Sequence, residues 1–150
     1  MGNCPSIVTV VCHKIEYDKL MKTDYRTFFK CWKSWENFEP CIDGLNGVYA
    51  FRVKHQFSRL KGKSNVLYIG KVDQNPEHNK RPGIWHRLSN YRQNSNGASK
   101  RLKDVERHFK GKSSIEYAYE ICKDPRETEK HLLDSYYEIH IELPPLNRSR

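Results

Sequence analysis

Apolar and polar positions alternate with a period of two in three stretches of the chain, the spacing of a half-buried strand. In three others they recur every three or four residues, as on a helix packed along one side. Gly47 to Val53 (GVYAFRV) puts Tyr49, Phe51 and Val53 on one face, and Val66 to Val72 (VLYIGKV) forms a second strand. The basic, polar stretch between them predicts an antiparallel pair joined by a long hairpin. After a Pro/Asn/Gly-rich loop at 75–83, Ile84 to Gln93 predicts a helix with Trp85, Leu88 and Tyr91 in register. Ser99 to Lys110 predicts another, carrying Leu102, Val105 and Phe109, and Ile115 to Cys122 (IEYAYEIC) returns to strand alternation. Asp124-Pro125 is a helix start, with Asp as N-cap and Pro at the first position, and this helix continues through Leu132, Leu133 and Tyr136.

Strand, strand, helix, helix, strand, helix is an α+β order, a small sheet flanked by helices. Ahead of it, Ile7 to Val11 is β-branched and predicts a short strand, and Tyr25 to Phe38 (YRTFFKCWKSWENF) predicts a helix with Phe28, Trp32 and Trp35 at helical spacing. Those aromatics either pack on the sheet or stack unpaired bases. Turn signals at Asp43-Gly44 and Asn46-Gly47 put a boundary near residue 45. Residues 1–45 are therefore expected to be an extension packed on a main domain at 46–150.

A chain of 150 residues has room for one compact domain and such an extension. Its 27 Lys and Arg against 18 Asp and Glu give a net charge of +9, which points to a polyanionic partner, nucleic acid first. The excess is concentrated: residues 80–112 hold ten basic and two acidic side chains, whereas 113–150 hold five and eight. Within the basic segment Trp85, His86, Tyr91, Asn94 and Asn96 are interleaved with the charges, which fits phosphate binding better than a solvated face. Lys80, Arg81, Arg92, Lys100, Arg101 and Lys103 are the candidate partners of the nucleic-acid backbone.

Cys4, Cys12, Cys31, Cys41 and Cys122 are odd in number and form no CxxC pair, which indicates neither a disulfide framework nor a zinc finger. A reducing, intracellular compartment, cytoplasm or nucleus, is the expectation. No apolar run approaches membrane-spanning length, and Ser6 to Cys12 lacks the flanks of a signal peptide, so no membrane role is expected.

One carboxylate is out of place. On the helix from Pro125, Glu129 stands three and four residues before Leu132 and Leu133, on the apolar stripe, where an acid is costly unless paired or bound to a cation. Glu127 lies about 200° around the helix and reads as a solvated first-turn acid. With no second acid on the stripe, Glu129 suits a single hard cation such as Mg²⁺ or Mn²⁺, with water and phosphate oxygens completing its coordination. Arg87 and Tyr91, four apart, share one face of their helix, and an arginine there can fork onto phosphate oxygens.

Gly47-Val48-Tyr49 and Tyr68-Ile69-Gly70, followed by Arg87, Tyr91, Glu129 and Pro144-Pro145-Leu146-Asn147, resemble the active site of GIY-YIG endonucleases over Gly47 to Asn147, with Val48 in the place of isoleucine. The resemblance implies a three-stranded antiparallel sheet with helices around it. It also implies a metal-dependent DNA endonuclease that hydrolyses one strand per active site. Tyr49 or its water network would accept the proton, Tyr68 would orient water and scissile phosphate, and Arg87 would stabilise the transition state. Tyr91 fills a position that the family gives to tyrosine or histidine, Glu129 would hold the metal, and Asn147 would support the site by hydrogen bonding. Lys71, three after Tyr68, would lower a phenol pKa or hold phosphate, but strict alternation admits it only if the strand ends or bulges at Gly70. With one site per chain, a double-strand break would need two nicks or a homodimer on DNA. The competing readings are a non-catalytic nucleic-acid-binding module on the same fold and a protein-interaction domain using the aromatic N-terminal segment.

Overall fold

In the computed structural model, which describes residues 19, 22–39, 45–74, 83–93, 97–111 and 114–149, β2 (Gly47–Ser58) is the central strand. It pairs antiparallel with β3 (Lys63–Val72) on one side and β4 (Ile115–Ile121) on the other. A two-residue strand β1 (Lys33–Ser34) adds to the far side of β4, giving the order β1-β4-β2-β3. The sheet thus has four strands rather than three. The helices are α1 (Tyr25–Phe28), α2 (Gly83–Gln93), α3 (Gly97–His108) and α4 (Pro125–His140). The predicted strand at Ile7 to Val11, the Asp43-Gly44 turn and most of the 75–83 loop lie outside the described residues.

Two predicted elements are corrected. The expected long hairpin is a tight one: pairing runs out to Ser58 and Lys63, and Arg59 N–H bonds to Gly62 O at 3.0 Å. Lys54 to Gln56 are exposed yet remain in strand, across an irregular stretch between Arg52 and Phe57 beyond which pairing with β3 resumes. The helix expected over Tyr25 to Phe38 ends at Phe28. Its aromatics serve opposite faces of the sheet: Phe28 and Phe29 join the layer under α4, whereas Trp35 is buried with Phe51 and Tyr117 on the other side. One straight helix cannot reach both faces, so the chain extends and crosses the β4 edge, pairing Lys33 with Tyr117 and Ser34 with Glu116 on the way.

Alternation along β2 builds the two layers. Val48 and Ala50 face Leu132, Leu133 and Tyr136 of α4 together with Tyr25 of α1. Tyr49, Phe51 and Val53 face Ile84, Leu88 and Tyr91 of α2 and Leu102 of α3. Each side buries several large side chains at roughly 1.5–3 kcal/mol apiece, which is what fixes the strand register. The β2–β3 register shifts twice: Phe51 pairs with Tyr68 and Arg52 with Val66, leaving Leu67 unmatched, and a second irregularity falls between Arg52 and Phe57. Consecutive Leu67 and Tyr68 therefore both turn to the α2 side.

α4 starts as its sequence predicts, with the Asp124 carboxylate accepting from Glu127 N–H at 3.0 Å and Pro125 at the first position. It ends at Ile141 in the left-handed region, φ 62°, whose N–H bonds to Tyr137 O at 2.7 Å. That reversal sends the C-terminal tail back along the outer edge of β3, where Leu146 N–H bonds to Leu67 O at 2.9 Å.

Candidate active site

β3 is an edge strand, and its outer edge is where the predicted residues gather. Asn147 treats that edge as a neighbouring strand would. Its Oδ1 accepts from Ile69 N–H at 3.0 Å, and its Nδ2 donates to Ile69 O at 2.8 Å. Both backbone groups between Tyr68 and Gly70 are thereby satisfied by one carboxamide.

Inside this edge three tyrosines meet. Ring centroids lie 5.9 Å apart for Tyr49 and Tyr68, 5.8 Å for Tyr49 and Tyr91, and 6.2 Å for Tyr68 and Tyr91. Tyr49 Oη and Tyr91 Oη are hydrogen-bonded at 3.1 Å. Gly70 makes the arrangement possible: a Cβ there would lie 2.6 Å from Tyr68 Cε1 and 2.7 Å from Tyr49 Cζ, so any side chain would have to push both rings aside. The bulge at Leu67 supplies the third element by turning Tyr68 toward the same side as Tyr49.

Burial decides the state of these phenols. Tyr49 is 2% exposed, and desolvation pushes its pKa well above the usual value, with Tyr91 and Tyr68 adding to the rise and Arg87 opposing it. Tyr91 is raised as well, first by burial and then by Tyr68. Both keep their protons at neutral pH. Burial thus works against ionisation of either phenol.

Arg87 projects from α2 one turn before Tyr91, is exposed, and has no ion-pair partner among the described residues. Glu129 stands on α4 beside the stripe of Leu132 and Leu133; its side chain is 17% exposed and paired with Lys71 Nζ. Glu127 is exposed, as predicted from its helix position. Lys71 joins by a route that its alternation did not foresee. β3 neither ends nor bulges at Gly70, and Lys71 stays in register opposite Val48, on the face that α4 covers. Because β3 is the last strand, the groove continues around its edge, and Lys71 and Glu129 line it together with Tyr49, Tyr68, Arg87 and Tyr91.

Four further polar residues line the groove, and only one of them carried a signal in the sequence. Asn90 lies three residues after Arg87 on the same helix and was legible from that spacing. Gln74 is held by Asn46, whose Nδ2 donates to Gln74 O at 3.0 Å and whose Oδ1 accepts from Gln74 N–H at 3.2 Å. Asp73 and Ser99 complete the far wall with the start of α3, and neither stands out by motif or spacing.

The basic candidates separate. Lys100 is exposed on α3, with Arg101 and Lys103 half-buried beside it. Arg92 is not brought into the groove: its guanidinium donates to Trp35 O and lies over the Trp35 and Phe38 rings at 5.0 and 5.7 Å. Lys80 and Arg81 lie outside the described residues.

Among the described residues no group of three or more His, Cys, Asp or Glu side chains converges, so a cation at this groove would rest on the Glu129 carboxylate, water and substrate oxygens. A lone carboxylate of this kind, with water and phosphate oxygens, fits a hard divalent ion once Lys71 gives way. Cys31 is disulfide-bonded, a bridge that the odd number and irregular spacing of the cysteines did not signal. Cys122 is free and buried, and burial pushes its thiol up to about 11, so it is no nucleophile. No helix among the described residues is long and apolar enough to cross a membrane. No family model, curated protein or solved structure matches the chain.

Proposed function

We propose that the protein is a metal-dependent DNA endonuclease of the GIY-YIG type, hydrolysing one strand per active site with a single Mg²⁺ or Mn²⁺. The observation that carries this reading is convergence. Six side chains spread from residue 49 to residue 129, on two strands and two helices, line one groove at the sheet edge, and a seventh, Asn147, clamps the strand beneath them. Ordinary folding pressure does not gather an exposed arginine, a half-buried carboxylate and three mutually packed phenols in one place.

Each residue has work suited to its surroundings. Arg87, exposed at the groove, grips two non-bridging phosphate oxygens and offsets the charge that accumulates in the transition state. Tyr68, half-buried at the rim, orients the attacking water. Tyr49 and Tyr91 form a relay of two protonated hydroxyls that aligns water and passes a proton along without storing one. Glu129 would hold the cation, which when bound supplies Lewis-acid stabilisation and lowers the pKa of a coordinated water. Water adds across the P–O bond, leaving a phosphate on one strand end and a hydroxyl on the other. Lys100 and its neighbours on α3 extend positive charge away from the groove along the path a duplex backbone would take.

The test is incubation of purified protein with supercoiled plasmid in Mg²⁺ and in EDTA, beside Glu129→Ala and Glu127→Ala. Nicking is expected in Mg²⁺ for the parent and for Glu127→Ala, and in neither condition for Glu129→Ala, with DNA binding retained throughout. Full activity of the Glu129 variant would refute the mechanism.

A further inference from the structure

Among the described residues of the groove, the carboxylate best suited to a cation is already held. Lys71 Nζ is ion-paired with Glu129 Oε2, and the two side chains are 33% and 17% exposed, so the pair is only partly screened by solvent. The neighbouring acid, Asp73, is more exposed and lies 3.9 Å from Arg126. A divalent ion settling on Glu129 beside the ammonium meets like-charge repulsion that solvent only partly screens.

We propose that Lys71 is an internal competitor for the cation at Glu129, so that cation loading depends on a phosphate being present. This rests on the reading of Glu129 as the cation's ligand. With no substrate, Lys71 neutralises Glu129 and holds it at the groove wall. When a phosphate enters beside Arg87 and Tyr68, it offers the ammonium a second anion and offers the cation additional oxygens. Lys71 then swings from carboxylate to phosphate, and the cation takes its place on Glu129. The geometry allows the exchange. Lys71 sits on the last strand, its four-carbon stem reaches around a free edge, and it lines the groove shared by Arg87 and Tyr68 as well as a second recess along α4 with Asp134 and Glu138.

The experiment measures Mn²⁺ binding to the full chain without DNA, by the decrease of the free-ion electron paramagnetic resonance signal. Lys71→Met should bind Mn²⁺ about tenfold or more tightly than the parent, Lys71→Gln likewise, and Lys71→Arg no more tightly than the parent. Adding a short duplex should tighten Mn²⁺ binding in the parent far more than in Lys71→Met. A merely structural lysine would give weaker or unchanged binding on removal. The double variant carrying Glu129→Gln should lose the gain. If parent and Lys71→Met bind equally and both lose binding with Glu129→Gln, the competitor role is overturned while Glu129 stands as the ligand. If Glu129→Gln leaves Mn²⁺ binding untouched, the reading of the site fails and the competitor role fails with it. Lys71→Gln keeps the polar reach of the side chain, so the question is decided even where the methionine variant does not fold.

Discussion

Replacing Asn147 tests the edge clamp without assuming any activity. Its carboxamide makes two hydrogen bonds to Ile69, 3.0 Å to the N–H and 2.8 Å to the carbonyl, in a partly buried setting. Each neutral bond of this kind contributes about 0.5–1.5 kcal/mol net, so Asn147→Ala should cost about 1–3 kcal/mol. Asn147→Asp is the sharper probe because it barely changes shape. It keeps the acceptor for Ile69 N–H but sets a carboxylate oxygen against Ile69 O, two acceptors face to face, so it should destabilise at least as much as alanine. Urea unfolding at constant m-value reads the difference directly, and each kcal/mol corresponds to about 2–4 °C in Tm for a chain of this size. Because Tyr68 and Gly70 flank Ile69, both variants should also slow any cleavage more than they weaken DNA binding. An Asn147→Asp protein within about 0.5 kcal/mol of the parent would mean that the tail does not hold β3, and that the clamp is without consequence.

Arg87→Ala should lower single-turnover cleavage by several orders of magnitude at saturating enzyme, and Arg87→Lys should recover little, because an ammonium cannot reproduce the planar fork; a change in affinity alone would make Arg87 a phosphate clamp. DNA affinity should fall steeply with salt, and neutralising Lys100, Arg101 and Lys103 together should flatten the slope of log K against log salt by roughly one unit for each phosphate no longer neutralised. Arg92→Gln should leave that slope unchanged and lower stability instead, since its guanidinium is spent on Trp35.

Strand, helix and cap positions in the main domain were legible because each depends on local patterning. The Asp124-Pro125 start and the alternation of Tyr49, Phe51 and Val53 needed nothing beyond neighbouring residues. What the sequence hid were the outcomes that two distant segments decide jointly. The aromatic run from Tyr25 to Phe38 has helical spacing, yet Phe29 and Trp35 are claimed by opposite faces of a sheet formed much later in the chain, and tertiary burial overrides the local period. The bulge at Leu67 was illegible for a related reason: it appears only when β3 is laid against Arg52 of β2. Arg92 looked like the other basic residues of its segment, and only the position of Trp35 distinguishes it. The state of Tyr49 likewise follows from packing, since a phenol in a strand pattern carries no sign of how completely it will be desolvated.

The edge location decides which side chains can meet. Side chains on the two faces of a sheet point away from each other and do not normally act on one atom. Here the last strand offers a rim around which Lys71 and Glu129 come from the α4 side and the tyrosines and Arg87 from the α2 side. The rim also has to be guarded, because an unpaired strand edge invites pairing with another chain. The tail does this over Leu67 to Ile69 with one backbone hydrogen bond and one carboxamide. Of the two, the carboxamide lies between Tyr68 and Gly70, so the same residue that protects the edge also holds the backbone that carries them, and loss of the protection should disturb the tyrosine cluster as well.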